Sequence, residues 1–186
     1  RSAEERGMRV TGSELVGMVP LRVLLDAGRH FLRKQRRSAG VPEEELLRIA
    51  VKSLGLDDLA PFDPQQKVIE YKLRQAGTDP LLAMSVKQFA DATGAESPAP
   101  GGGSVSAYVA ALGASLALMV ANLSSHKRGW DERWEFFSDW AERALSIQSQ
   151  LLALVDADTR AFNAIMEAFQ LPKTTPAEKS ARSEAI

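Results

Sequence analysis

The sequence has 186 residues, a net charge of −1 and no cysteine. The near-neutral charge excludes a general attraction to nucleic acid or to an anionic membrane surface. The lack of cysteine excludes disulfides, thiolate nucleophiles and Cys-based zinc sites; it is typical of a reducing compartment, so we expect a cytoplasmic protein. The chain starts with Arg1 and shows no signal peptide, so we expect it to be a piece of a longer protein.

The first third of the chain predicts an α+β segment. Residues 9–19 are β-branched and apolar around Gly12 and Gly17, which is typical of a strand with a bend. Pro20 fits the first turn of a helix, and apolar residues then recur at helical spacing. A strand needs a sheet, but no partner strand is evident nearby, so we expect its neighbours to lie outside this chain.

Basic residues at 33–37 close this helix, where cations suit the C-terminal end of the helix dipole. A surface patch that binds nucleic acid is the less favoured alternative, because no aromatic residues are interleaved with the basic side chains. Residues 43–54 predict a second helix with Gly55 beyond its end. Residues 65–73 fit either a short helix or a terminal strand, and polar residues with glycine and proline predict a linker at 75–84.

The stretch 97–125 reads SPAPGGGSVSAYVAALGASLALMVANLSS and carries no charged residue. Its three glycines, Gly101, Gly102 and Gly103, can adopt positive φ, so the backbone can approach a ligand closely. Ser104 is a candidate N-cap for the helix that follows. A helix N-terminus behind a glycine loop favours an anion or a polar carbonyl group. The small side chains of this helix let neighbours come close, so we expect it at the centre of a bundle.

This stretch has three other possible interpretations: a membrane span, a nucleotide-binding loop, and a turn without a ligand. It is long and uncharged enough for a membrane span, but it is weakly hydrophobic and no aromatic belt flanks it. A nucleotide-binding loop is not supported, because both phosphate-loop fingerprints are absent. A glycine turn that leads into a buried helix without any ligand is as compatible with the loop chemistry as a binding site is.

A short helix is predicted to start at Ser85, one long helix at 133–170, and the cap and first turn of another at 175–178. Alternate steps of three and four residues along the long helix define a packing seam of mostly apolar residues. The seam consists of Trp134, Phe137, Ala141, Ala144, Gln148, Leu151, Val155, Asp158, Phe162, Ile165 and Phe169.

Asp158 breaks the apolar pattern of the seam between Val155 and Phe162. We expect it to point into the interior, where burying a carboxylate is costly, raises its pKa and lets it carry protons near neutral pH. A structural aspartate that bonds to a neighbouring helix is the alternative. Asp156 lies away from the seam, which indicates a solvated side chain or one at a subunit contact.

Other polar and aromatic residues carry weaker signals. Gln148 and Arg160 are secondary polar candidates for the same site. His30 and His126 have no acid or second histidine at ligand spacing, so we expect no metal site. The three tryptophans indicate packing in a core or between subunits.

Four stretches resemble the bifunctional formimidoyltransferase-cyclodeaminase family. They are VTGSELVGMVPLRVLLDAG at 10–28, LGLDDLAPFDPQQKVIEY at 54–71, ESPAPGGGSVSAYVAALGASLALMVANL at 96–123 and LVDADTRAFNAIMEAFQLPKTTPAEK at 154–179. The resemblance implies an α+β fragment followed by an all-α part. The first would be the C-terminal part of the transferase domain (1–74, one strand plus helices). After the linker at 75–84 would come the truncated N-terminal part of a helical-bundle cyclodeaminase domain (85–186).

The resemblance implies a folate enzyme of histidine breakdown. The transferase would move a formimino group from N-formimino-L-glutamate to tetrahydrofolate. The cyclodeaminase would close 5-formiminotetrahydrofolate to 5,10-methenyltetrahydrofolate and expel ammonia. Tetrahydrofolate, which we expect in polyglutamylated form, is then the co-substrate, without a metal. The resemblance also implies a homo-oligomer, with neither nucleic acid nor membrane as a partner.

The resemblance places the catalytic aspartate at Asp158, the position that the seam had singled out. One carboxylate would remove a proton from the attacking folate nitrogen and deliver a proton to the leaving amine. Lys127 and Arg128 would attract the acidic glutamate tail by charge. The residues expected to hold the folate, through backbone N–H groups of the loop, are Pro100, Gly101, Gly102, Gly103 and Ser104.

The chain departs from the family in two ways. We expect it to lack the N-terminal transferase subdomain with the proton-donating histidine, and therefore to have no transferase activity alone. We also expect the cyclodeaminase half to be truncated. Two other functions stay open. Methenyltetrahydrofolate cyclohydrolase shares the helical fold and the PGGGS loop, and a non-catalytic helical assembly module would use the seam as an oligomer contact.

Overall fold

The computed structural model describes residues 3–8, 15, 17–73 and 80–185. It forms two compact units, Arg1–Ala76 with Ala117–Leu145 and Gly77–Leu116 with Ser146–Ile186. Short 3-10 helices lie at Glu4–Arg6 and Asp131–Arg133. The α-helices are α1 (Leu21–Lys34), α2 (Glu43–Leu54), α3 (Pro64–Lys67), α4 (Ile69–Leu73), α5 (Val86–Thr93), α6 (Gly102–Ser125), α7 (Trp134–Gln170) and α8 (Pro176–Ala185).

The described residues contain helices and loops and no strand. The strand predicted at 9–19 lies largely outside them, as do residues 75–79 of the predicted linker, so the α+β part of the expected fold is not confirmed. The ambiguous stretch 65–73 is helical, because Asp63 caps α3 by accepting a hydrogen bond from Gln65 N at 3.0 Å. The all-helical prediction for the second half of the chain agrees with the structure.

In the first unit, α1 and α2 pack closely because Gly28 has no side chain. A Cβ at Gly28 would overlap the carbonyl group of Leu46. Gly55 ends α2 in the left-handed conformation with a φ of 66°, as predicted. One core cluster of this part consists of the buried residues Leu21, Leu24, Leu47, Ala50 and Val68.

Within the first unit, the loop that contains Ala39 and Gly40 contacts α6 and α7. Ala39 N donates to Ser138 Oγ at 3.0 Å, and Asn122 Nδ2 donates to the Gly40 carbonyl at 2.8 Å. A Cβ at Gly40 would overlap the backbone of Ala141. The apolar core between the two helices here consists of Leu118, Ala121, Ala141 and Ala144.

In the second unit, caps define the helix starts that the sequence predicted. Ser85 and Gln88 form a capping box at the start of α5. At α8, Glu178 N donates to Thr175 Oγ1 at 3.2 Å, and Thr175 N donates to Glu178 Oε2 at 2.8 Å. The buried core of this unit is Leu81, Ala107 and Val155, with Phe89 and Tyr108 packed against it.

Helix α6 buries one stripe rather than occupying the centre of a bundle, so that expectation is wrong for the described residues. The buried stripe is Ser104, Ala107, Ala111, Leu118, Ala121 and Ser125. The exposed apolar residues include Val109, Leu112, Leu116, Met119, Val120 and Leu123. By length and composition alone α6 could cross a membrane, a test that core helices of soluble proteins also pass.

Candidate functional site

The glycine-rich loop continues into the helix that it was predicted to precede. Helix α6 begins at Gly102, so Ser104 lies in its first turn and is not the N-cap. None of Gly101, Gly102 and Gly103 has a positive φ. The predicted cap is therefore wrong, and the positive φ that these glycines allow is not used here.

Ser104 is fully buried and connects α6 to α7. Its N–H donates to Asp158 Oδ2 at 2.8 Å, and its hydroxyl donates to the carbonyl of Val155 at 2.7 Å. The hydroxyl oxygen also lies 3.1 Å from Asp158 Oδ2 and 3.0 Å from Thr159 Oγ1. The structure thus brings together Ser104 and Asp158, which are 54 positions apart in the sequence.

Gly103 permits this contact. A Cβ at Gly103 would overlap the Asp158 carboxylate, whereas a Cβ at Gly102 would meet nothing within 4 Å. Asp158 therefore lies at the N-terminal end of α6, where the helix dipole and the free N–H groups favour an anion. The predicted preference for an anion is met in part by the protein itself, because its own carboxylate takes the N–H of Ser104.

Asp158 is exposed, so its predicted burial on the seam is wrong. An α-helix turns about 100° per residue, so a seam that advances 3.5 residues per turn drifts by about 20° per heptad. Measured from the buried Ala141, Asp158 lies about 100° around the helix and Asp156 about 60°. The apolar count along the sequence ignored this drift and therefore placed the wrong aspartate in the interior.

Asp156 is the buried carboxylate of α7, with 2 % of its surface exposed. Its Oδ1 accepts a hydrogen bond from Leu81 N at 2.9 Å, and its Oδ2 accepts one from Leu82 N at 3.2 Å. The prediction of a solvated side chain or a subunit contact is therefore wrong. The sequence does not show which backbone N–H groups will bond to a side chain. A strict period of 3.6 residues counted from Ala141 would, however, have placed Asp156 rather than Asp158 on the buried face.

Lys127 and Arg128 lie in the first unit, in the turn that follows α6, and both are exposed. The ammonium group of Lys127 is 4.5 Å from the centroid of the Trp130 ring. Partial desolvation, and secondarily the guanidinium of Arg37, lowers the pKa of His126. The positive charge of this turn at pH 7 therefore comes from Lys127 and Arg128.

The remaining candidates have structural contacts. Gln148 Nε2 donates to Ser115 Oγ at 2.5 Å, which links α7 to α6, and Arg160 is exposed. Pro100 is buried immediately before α6. A cavity of about 30 Å³ beside Val155 has room for water only, since ligand pockets measure roughly 300–1,000 Å³.

Two family models match the chain. The model described as formiminotransferase-cyclodeaminase matches residues 85–186, and the model described as formiminotransferase domain matches residues 1–74. The two matches lie on either side of the predicted linker at 75–84.

Curated relatives cover both parts of the chain. It is similar to formimidoyltransferase-cyclodeaminase of Mus musculus (44 % identity over 187 residues, all of this chain) and of Gallus gallus (40 % over 187 residues). The chain spans about a third of the length of these relatives, 34 % in each case. It is also similar to methenyltetrahydrofolate cyclohydrolase of Methylorubrum extorquens, 34 % identical over 102 residues, which is 55 % of this chain and 49 % of that protein.

Proposed function

Because the chain belongs to the formiminotransferase-cyclodeaminase family, we propose that residues 85–186 contribute to a cyclodeaminase site. This site would close 5-formiminotetrahydrofolate to 5,10-methenyltetrahydrofolate and release ammonia. Residues 1–74 would contribute to the partner reaction, the transfer of a formimino group from N-formimino-L-glutamate to tetrahydrofolate. The match of both family models to one chain supports the pairing of the two activities.

The observation that carries this proposal is the contact of Asp158 with the first turn of α6. The Ser104 N–H orients one carboxylate oxygen, Oδ2. Among the described residues no hydrogen bond to Oδ1 is present, and the side chain is exposed. We propose that this carboxylate meets the bound substrate.

Ring closure needs two proton transfers, and one carboxylate can make both in turn. Asp158 would take the proton from the folate nitrogen as that nitrogen attacks the formimino carbon. The same group would then return a proton to the nitrogen that leaves as ammonia, so that the carboxylate is regenerated. The reaction therefore needs one correctly oriented acid–base group rather than an acid and a separate base.

The folate would lie on the open surface at the start of α6. A Cβ at Gly102 meets nothing within 4 Å, so a ligand can approach the backbone there. Pro100, Gly101, Gly103 and Ser104 shape the same turn. Attraction of an acidic, polyglutamylated tail by Lys127 is a proposal supported by charge alone. We also propose that the reaction uses no metal.

Asp158→Asn tests the role of the carboxylate. Asparagine keeps the size of the side chain and an acceptor for the Ser104 N–H, but it cannot carry the proton. We expect ammonia release by the full-length protein to fall at least about hundredfold, as for the loss of a general acid–base group. Asp139→Asn, which changes an exposed aspartate on the same helix, is the matched control. A variant that folds and releases ammonia at the parental rate would show that Asp158 is structural.

Methenyltetrahydrofolate cyclohydrolase is the second candidate, because the relative of that name aligns with 102 residues of this chain. The two activities differ in product. Incubation with methenyltetrahydrofolate would show hydrolysis, and incubation with 5-formiminotetrahydrofolate would show ammonia. Hydrolysis without ammonia release would favour the cyclohydrolase.

We also propose that the protein is a cytoplasmic homo-oligomer. Neither a membrane nor nucleic acid is proposed as a partner. The exposed apolar side chains of α6 support a protein partner for that helix, because large apolar faces of soluble proteins usually mark interaction sites. Sedimentation of the full-length protein checks this point: a monomer at micromolar concentration would contradict it, and a non-catalytic assembly would sediment as an oligomer but release no ammonia.

A further inference from the structure

Asp156 is a buried carboxylate for which the proposed chemistry has no use. Its side chain is 2 % exposed, and each of its oxygens accepts a hydrogen bond from a different backbone N–H, at Leu81 and Leu82. These two residues precede α5, so Asp156 holds the chain segment that leads into that helix.

A carboxylate suits this position better than its amide. Two consecutive N–H groups point at the side chain, and a carboxylate offers two acceptor oxygens, whereas asparagine offers one acceptor and one donor group. A buried donor that faces another donor loses its hydrogen bond and its solvation together. Asp156→Asn therefore removes one of the two bonds with almost no change in volume.

The segment that Asp156 holds also covers the core of the second unit. Leu81 is 7 % exposed and packs with Val155, which has no exposed surface, and with Ala107 of α6. A displaced Leu81 would expose the contact between Ala107 and Val155. The position of α7 against the first turns of α6 therefore depends on this segment.

A single turn of α7 carries Asp156 and also Val155 and Asp158 of the candidate site. The carbonyl of Val155 accepts the hydroxyl hydrogen of Ser104, and Asp158 accepts its N–H. We propose that Asp156 is a positioning residue: by holding the backbone of residues 81 and 82 on this turn, it keeps Asp158 aligned with Ser104 for ring closure. This inference rests on the proposed function for its catalytic consequence.

Amide hydrogen exchange of the full-length protein tests the positioning without any assay of activity. In Asp156→Asn we expect whichever of the Leu81 and Leu82 amides loses its acceptor, and with it the amide of Ser104, to exchange about tenfold faster, the change expected for the loss of one hydrogen bond. Asp139→Asn should leave all three unchanged. Unchanged exchange at residues 81 and 82, or faster exchange there with an unchanged Ser104 amide, would overturn the proposal.

Kinetics of the full-length protein test the consequence for the reaction. We expect Asp156→Asn to lower kcat for ammonia release about tenfold, with KM within about twofold of the parent, because misalignment of Asp158 affects the reacting step more than binding. The pH profile should keep its shape, since Asp156 is buried and has no part in the proposed proton transfers. A parental kcat together with a faster Ser104 amide would also overturn the proposal.

A glutamate variant and the activity of the parental protein distinguish failure of the positioning role from failure of the proposed function. Asp156→Glu retains both acceptor oxygens, so it should protect the amides of Leu81 and Leu82 better than asparagine does; it replaces the asparagine variant if that variant does not fold. If the parental protein releases no ammonia, the proposed function fails, and the Ser104 amide alone decides whether Asp156 positions Asp158.

Discussion

Gly40 and Gly103 both lie against α7, but they face different kinds of atoms. A Cβ at Gly40 would overlap the backbone of Ala141, in the first unit. A Cβ at Gly103 would overlap the carboxylate of Asp158, in the second. The backbone of a helix cannot move without breaking its hydrogen bonds, whereas an exposed side chain can rotate. A glycine at a close contact therefore indicates tight packing at the first site and an adjustable polar group at the second.

The surroundings of the two glycines differ in the same sense. Near Gly40 the polar groups belong to the joint itself: Asn122 donates to the Gly40 carbonyl, and Ser138 accepts from Ala39 N. Near Gly103 one oxygen of Asp158 is oriented by Ser104 and the side chain is exposed. The hydrogen bonds of the first contact stabilise the joint, whereas at the second contact only Oδ2 of Asp158 accepts a hydrogen bond among the described residues.

Gly40→Ala should have the largest effect on stability. The added methyl group meets helix backbone that cannot move aside, so we expect the free energy of unfolding to fall by about 3 kcal/mol, at the upper end for overpacking. Urea unfolding followed by circular dichroism measures it. An unchanged midpoint would mean that loop and helix separate easily, and the contrast with Gly103 would be lost.

Asn122→Ala should destabilise the same joint by about 2 kcal/mol, because it leaves the Gly40 carbonyl without its donor in a partly buried place. The same unfolding experiment applies. In combination with Gly40→Ala the loss should be less than additive, since both changes act on one contact. Strict additivity would argue that the two residues act separately.

Gly103→Ala should change stability by less than about 1 kcal/mol, because the better helix propensity of alanine offsets part of the strain as Asp158 rotates away. The rate of ammonia release should nevertheless fall about tenfold, since the carboxylate loses its hydrogen bond to Ser104 N. Unfolding and activity are measured on the same preparation. A large loss of stability with a normal specific rate would make Gly103 equivalent to Gly40.

Gly102→Ala should have the smallest effect on stability, a few tenths of a kcal/mol at most, because its Cβ meets nothing within 4 Å. If the folate approaches the backbone here, the methyl group should raise KM severalfold and leave kcat almost unchanged. An unaltered KM would place the ligand elsewhere. This variant also serves as the steric control for Gly103→Ala.

Local signals in the sequence determined much of the secondary structure. Periodic apolar residues and terminal caps predicted α2, the long α7 and the starts of α5 and α8, because each of these depends on residues within a few positions of one another. The motifs around residues 96–123 and 154–179 also pointed to the family that the comparisons confirm. Asp158 stood out in the sequence as an acid on a mostly apolar seam, and its catalytic role stays a prediction.

Only the tertiary structure decided how the two acids of α7 are used. Asp158 is exposed and contacts Ser104, whereas Asp156 is buried under Leu81 and Leu82. The two side chains differ in direction by only a fraction of a helical turn. A small error in the assumed number of residues per turn accumulates along a helix of 37 residues, so a pattern counted along the sequence can choose the wrong one. The roles of Gly40 and Gly103 likewise depend on residues far away in the chain, which a local pattern cannot contain.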